Sequence, residues 1–321
     1  MRSRRDGMAD RPSAEREAAL ERLREQAARR TPALEPIAGY YGRPVLKPPV
    51  WTWEIPTYLF VGGAAGVSAV LAWVAGFFAN DAIAADARTV AAVGAALSPV
   101  LLILDLGRPA RFLYMLRIFK PQSPMSVGAW TVAVFSMSVL GAFAGHRWPG
   151  VAGTPVLTLL DTIAALSGLL IATYPGVLIA VTAIPVWAHH ARMLPWHFAA
   201  SSLGTSVSVL ELAGHRGSAL NAIGIAAAAC VTGIAAWIEF RRDRLSLPLV
   251  SGTSGRLTRL GDLLSGPLPL AMRLISGVVP AARVPGAIMA AVGSLLTRFG
   301  WILAGRRSVL DPRLVLERDT R

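Results

Sequence analysis

Apolar residues fall into long blocks separated by short polar breaks. A helix that crosses a bilayer needs about 20 predominantly apolar residues. The runs 55–79, 89–106, 126–145, 155–187, 194–213 and 219–240 fit or exceed this. The fourth is too long for one crossing and contains Pro175 and Pro185, which predicts a kinked helix projecting beyond the bilayer. A basic, Gly/Ser-rich loop over 241–262 follows, and two further runs, 263–282 and 285–304, complete a set of eight. The first of these holds Arg273 and three prolines, so an interfacial helix is its alternative. Gly and Ala are dense at 62–66, 91–96 and 225–229, where small side chains let helices approach closely in lipid. The expected fold is an all-α integral membrane protein with eight transmembrane helices.

Composition supports this. The 321 residues are 54% hydrophobic and only 16% charged, too little charge to cover a soluble chain of that size. A single cysteine, Cys230, lies in an apolar run. It excludes a disulfide framework, a cysteine-rich zinc site and a cysteine-ligated iron–sulfur cluster held within this chain. The net charge of +13 comes from basic residues that flank apolar runs, which points to orientation in a lipid bilayer and not to nucleic acid. With eight crossings, one side of the membrane receives about 26 of the 32 Lys and Arg, and by the positive-inside rule that side is cytoplasmic. The chain is thus expected in the plasma (cell inner) membrane with both termini cytoplasmic.

Three regions follow: an N-terminal arm over 1–50, a membrane domain over 51–304 and a tail over 305–321. The arm reads as a helix over 12–30 with a thin stripe of Leu20, Leu23 and Ala27, either solvated or docking a partner. A proline-rich run over 40–50 reads as extended. The first membrane-length run starts behind more than fifty mostly polar residues, the wrong layout for a cleavable leader.

Candidate chemistry gathers at the cytoplasmic edge. The connection from Asp105 to Trp130 carries an acid, four bases, three prolines and several aromatics, more than a turn requires. A carboxylate beside an arginine at a membrane boundary is a functional candidate. Trp51, Trp53, Glu54, Tyr58, Asp105, Arg108, Tyr114, Trp130 and Tyr174 all fall toward this edge. Flat aromatic walls with hydroxyl and carboxyl groups suit a quinone head group, whose carbonyl oxygens accept hydrogen bonds and exchange protons. The plainer alternative is that Asp105 and Arg108 cap the second helix, and that the tryptophans are interfacial anchors. Asp161 and Glu211, with Arg273 or Arg298, form either part of a proton path across the bundle or structural ion pairs. His146, His189, His190, His197 and His215 sit near helix ends, read as solvated or interfacial, and do not supply facing pairs at matched depth for haem.

These residues resemble a known family. Trp51-x-Trp-Glu-Ile-Pro-x-Tyr-Leu-Phe-x-Gly-Gly, Asp105-Leu-Gly-Arg-Pro-x-Arg-Phe, Lys120-Pro-x-Ser-Pro-Met-Ser-Val-Gly-Ala-Trp130, Tyr174-Pro-Gly-Val-Leu and Thr182-Ala-Ile-Pro-Val-Trp187 are similar to the polysulfide reductase/NrfD family. So is Gly293-Ser-Leu-Leu-Thr-Arg-Phe-Gly300 with Asp311-Pro beyond it. The resemblance covers about residues 40–315. It implies two four-helix bundles without haem, iron–sulfur cluster or metal of their own, and quinone (menaquinone or ubiquinone) as substrate. It also implies a ferredoxin-like partner with [4Fe–4S] clusters and a large catalytic oxidoreductase subunit, often a molybdopterin enzyme. The quinone pocket would lie at the partner-facing end of the first four helices, with Trp53, Glu54, Tyr58, Asp105, Arg108, Tyr114, Trp130 and Tyr174 as its candidates. The charge count puts that end inside, which fits a cytoplasmic, formate-dehydrogenase-like or hydrogenase-like partner. A membrane anchor without its own quinone site, and a transporter, are the other classes. The gathering of polar residues at one edge argues against the transporter.

Overall fold

Helix α1 (Glu54–Phe77) begins where Glu54 places a carboxylate in the first turn, favourable to the helix dipole, and Pro56 needs no backbone hydrogen. The computed structural model describes residues 46–312 apart from 109, 149, 151, 152 and 242, together with 21, 22, 314 and 315. The arm helix expected over 12–30 falls outside the described residues except for 21 and 22. Every regular element among the described residues is helical.

The chain continues through α2 (Asp81–Asp105), α3 (Ala110–Met115), α4 (Pro124–Arg147), α5 (Thr154–Ala180), α6 (Pro185–His189), α7 (Leu194–Leu212) and α8 (Ser218–Arg241). A 3₁₀ turn (Arg244–Ser246) leads into α9 (Leu247–Val250), α10 (Gly252–Ser265) and α11 (Pro267–Ile275). A second 3₁₀ turn (Pro280–Ala282) then opens α12 (Arg283–Leu310).

Helix boundaries differ from the hydropathy blocks for local reasons. The second helix starts at residue 81 and not 89, because the Asn80 side chain caps it by accepting from the Ile83 N–H at 3.3 Å. The long fourth block is one helix to Ala180, followed by a turn and the short α6, which begins at Pro185. The largest shift concerns the seventh. Residues 241–262, expected as a basic loop, contain most of α10, and the run expected at 263–282 breaks at Gly266. Pro267 restarts the helix there as its first residue. Small residues explain why α10 is a helix despite its polarity. A Cβ added to Gly261, Gly293 or Gly300 would come within 2.6 Å of α12 or α10 atoms, so the two helices pack almost backbone to backbone.

α1, α2, α4 and α5 pack around one another, and α7, α8, α10, α11 and α12 form the other half; α7 and α12 meet α1 along the seam. Among the described residues six helices are long and apolar enough to cross a membrane: α1, α2, α4, α5, α8 and α12 with its preceding turn. Large apolar side chains face outward from them, among them Phe77, Met137 and Phe240. This is a multi-pass membrane protein. α7 has membrane length but is more polar, because Ser201, Ser202, Thr205, Ser206, Ser208 and Glu211 are all buried in it. α10 and α11 are each too short to cross alone.

Candidate functional site

α2 ends at Asp105, Leu106 caps it, and Gly107 adopts φ +64°, the left-handed conformation that favours glycine. The chain can therefore turn sharply and lay α3 across the end of the helices. α4 is then started by the Ser123 side chain, which accepts from the Ser126 N–H. The Ser126 hydroxyl accepts from the Lys120 N–H at 3.0 Å, tying the loop down. The polar residues of the 105–130 connection thus build the loop as well as decorating it.

Beneath this loop lies a cavity of about 110 Å³ between α1, α2, α3, α4 and α5. Its walls are apolar, with Trp51, Leu102, Phe112, Met115 and Leu178 among them. Three polar side chains reach it: Tyr58 from α1, Asp105 from α2 and Tyr174 from α5. Tyr58 is buried, and Asp105 is half-buried. The Tyr174 ring and hydroxyl lie on Gly128, where an added Cβ would sit 2.6 Å from the ring. Any larger residue at 128 would displace the tyrosine. The Tyr174 hydroxyl is buried with no side-chain partner among the described residues, and only the Gly128 main chain lies beside it. A mostly apolar concavity with a few convergent polar groups is the form of a small-molecule site.

Other expected members lie elsewhere. Trp53 is 56% exposed and caps α1. Glu54 accepts a hydrogen bond from the Thr52 hydroxyl at the start of that helix. Arg108 is exposed, and Tyr114 is 69% exposed. Trp130 faces a different groove, where its ring meets Phe119 edge-on. The cavity therefore unites Tyr58, Asp105 and Tyr174 and leaves these five outside its lining.

Sequence reasoning missed how the other half holds the cavity wall. Trp51 stacks on Trp187 at 5.4 Å, and the Trp187 indole N–H donates to the Trp301 carbonyl at 2.8 Å. Arg306 of α12 donates to the Pro49 carbonyl at 3.2 Å and also to the Trp51 carbonyl, and its charge acts on Asp105. Trp187 closes the Thr182–Trp187 motif, but nothing in sequence spacing linked it or Arg306 to residue 51.

Residues 37–244 match the NrfD-type family described as polysulfide reductase. That is well over half of the chain. The chain belongs to this family. The matched region includes the cavity and all the helices around it. No curated protein matches the chain.

The candidate proton-path residues of this polysulfide reductase family member fall into separate places. Asp161 accepts from Arg88 at 3.1 and 3.2 Å and contacts His146 at 2.8 Å, at the far end of the first half. Glu211 accepts from Arg273 at 2.8 Å with both side chains almost wholly buried. Arg298 is also buried and donates to Ser201, Ser202 and the Phe198 carbonyl at 2.6–3.0 Å. The histidines are less solvated than expected. His190 and His197 are buried, and His146, His189 and His215 contact Asp161, Asp243 and Asp86. Burial, reinforced by the charge of His189, pushes the His190 pKa down to about 3, so its imidazole is neutral. Among the described residues no group of three His, Cys, Asp or Glu side chains is placed to hold a metal.

Proposed function

We propose that this chain is the quinone-reactive membrane subunit of a redox complex, with the cavity beneath the 105–130 loop as its quinone site. The observation that carries this reading is the meeting of Tyr58, Asp105 and Tyr174 in one apolar cavity. A quinone fits these groups: it brings a flat apolar ring to fill the walls and two carbonyl oxygens to accept from tyrosine hydroxyls. Asp105, held in the field of Arg306, is the group that takes or gives the proton that accompanies electron transfer. Trp51 is the flat wall and Arg306 positions it.

The chain holds no redox centre of its own in this reading. Electrons pass between the quinone and a partner subunit with [4Fe–4S] clusters docked over the loop, and onward to a large catalytic oxidoreductase subunit. α10 and α11 together form a seventh, broken crossing, so that with α7 there are eight, arranged as two four-helix groups. Both termini and the loop then face the cytoplasm, the side that the basic residues mark. The exposed residues Trp53, Arg108 and Tyr114 belong to the docking face in this arrangement.

The test is the assembled complex with Asp105→Asn or Tyr58→Phe. Quinone-linked turnover should fall while the catalytic subunit's activity with soluble dyes survives. Unchanged quinone turnover in both variants would reject the site, and loss of both activities through failed assembly would assign Asp105 to scaffolding.

A further inference from the structure

A second concavity lies on the outer surface of the first half. Val127, Trp130, Thr131 and Val134 recur at helical spacing along one face of α4. With Ser167 and Leu170 of α5 and Phe119 of the loop they line a groove of about 500 Å³. Gly128 and Ala129 of the same helix line the Tyr58 cavity instead, and the two spaces share no lining residue.

The groove is bounded at both ends. Near the start of α4, Phe119 meets the Trp130 ring edge-on with centroids 6.2 Å apart. Deeper in, α4 and α5 draw together, so that a Cβ added to Gly141 would lie 3.3 Å from Leu160. From Val127 to Val134 the helix rises about 10 Å, against about 15 Å for half of a bilayer's hydrocarbon core. Val134 and Leu170 are exposed, so the slot opens sideways, toward lipid.

The Thr131 and Ser167 hydroxyls donate to the Val127 and Ile163 carbonyls of their own helices at 2.8 and 2.6 Å. The Trp130 indole nitrogen is buried and has no hydrogen-bond partner among the described residues. Buried donors are normally paired, so an acceptor is to be sought in whatever fills the groove. Arg117 and Lys120 flank Phe119 in sequence, and both are exposed. The Lys120 N–H donates to the Ser126 hydroxyl at 3.0 Å, which in turn donates to the Ile118 carbonyl at 3.4 Å. These bonds pin the basic segment beside the first turn of α4, next to Val127. Two cations, one bare donor and an apolar slot thus follow one another from the membrane edge inward.

We propose that this groove binds one anionic phospholipid. An acyl chain fills the slot between α4 and α5, an ester carbonyl accepts from the Trp130 N–H, and Arg117 and Lys120 hold the phosphate. The sequence of charge, acceptor and hydrocarbon is that of a phospholipid read from head to tail. A quinone has no anionic group to offer the two cations. The proposal does not depend on the quinone reading.

The test is native mass spectrometry of the full-length chain, titrated with phosphatidylglycerol or phosphatidylcholine of identical acyl chains. Wild type should retain one phosphatidylglycerol roughly twentyfold more tightly than phosphatidylcholine, at about fivefold per cation. Arg117→Gln and Lys120→Gln should each remove roughly fivefold of that preference and leave phosphatidylcholine unchanged. Trp130→Phe keeps the ring and removes the donor, so it should weaken both lipids by roughly two- to tenfold. Val134→Phe changes an exposed position and should block the slot to both lipids, which keeps the proposal testable if Trp130→Phe fails to fold. Equal retention of the two lipids by wild type, or unchanged phosphatidylglycerol binding in folded Val134→Phe, would overturn the proposal and leave the groove to bulk lipid or a partner's helix. Displacement of phosphatidylglycerol by a short-chain quinone analogue would overturn it in favour of a second quinone position. Quinone binding in the Tyr58 cavity is measured separately, so the two readings fail independently.

Discussion

Replacing Tyr174 with phenylalanine separates a site built for a ligand from ordinary core packing. The hydroxyl is buried with no side-chain partner among the described residues, and the ring rests on Gly128. In the empty protein only the Gly128 main chain is beside it, and a poorly satisfied buried polar group is a burden of about 1–3 kcal/mol. Tyr174→Phe keeps the ring and removes that burden, so the empty chain should be as stable as wild type or more stable. Quinone binding should respond in the opposite direction. Losing one hydrogen bond to a ligand carbonyl costs about 0.5–1.5 kcal/mol, an affinity loss of roughly two- to tenfold. Thermal unfolding of the purified chain and titration with a short-chain quinone analogue, read by tryptophan quenching, measure the two quantities. Trp51 in the cavity wall supplies the signal. A variant that is less stable by a kilocalorie or more and binds the analogue with wild-type affinity would refute the reasoning, because the hydroxyl would then be serving the fold.

Other outcomes follow from the same geometry. Gly128→Ala should push the Tyr174 ring into the cavity and weaken analogue binding, with an overpacking cost of about 1–3 kcal/mol seen in unfolding. Arg273→Leu should destabilise the chain by about 3–5 kcal/mol by leaving the Glu211 carboxylate buried and unpaired, and adding Glu211→Leu should recover much of that in a double-mutant cycle. Arg306→Gln should loosen Trp51 and raise the Kd for the analogue in the same quenching titration. His190 is held neutral, with its pKa lowered to about 3 from 6.5. Its contribution to stability should therefore be complete above pH 6.5 and decline as pH falls toward 3, because only the unfolded chain gains the proton there. His190→Asn should flatten that part of the stability profile.

The helices were legible wherever apolar content alone specifies them. The blocks at 55–79, 126–145 and 219–240 each contain the body of a helix. Polar residues that find partners at long range hid the rest. Asp86 and Arg88 made the start of α2 look like a connection, yet they contact His215 on the α7–α8 connection and Asp161 of α5. α10 looked like a loop because its glycines and hydroxyls serve contact with α12, while Arg256 and Arg259 point outward. The same division runs through the site. Tyr58, Asp105 and Tyr174 could be placed by counting residues inward from helix ends, since each stands on a long helix. Tyr114 and Trp130 share that depth, but their direction depends on how the loop turns, and it turns them away from the cavity. Arg306 and residue 51 are too far apart in sequence for spacing to reveal their contact.

The central claim, that quinone occupies the cavity beneath the 105–130 loop, is tested most directly by photolabelling the assembled complex with an azidoquinone and mapping the modified peptides. The account predicts labels within 51–59, 102–115, 125–129 and 174–179, suppressed by excess unlabelled quinone. Labels confined to the other half of the chain or to a partner subunit would contradict it.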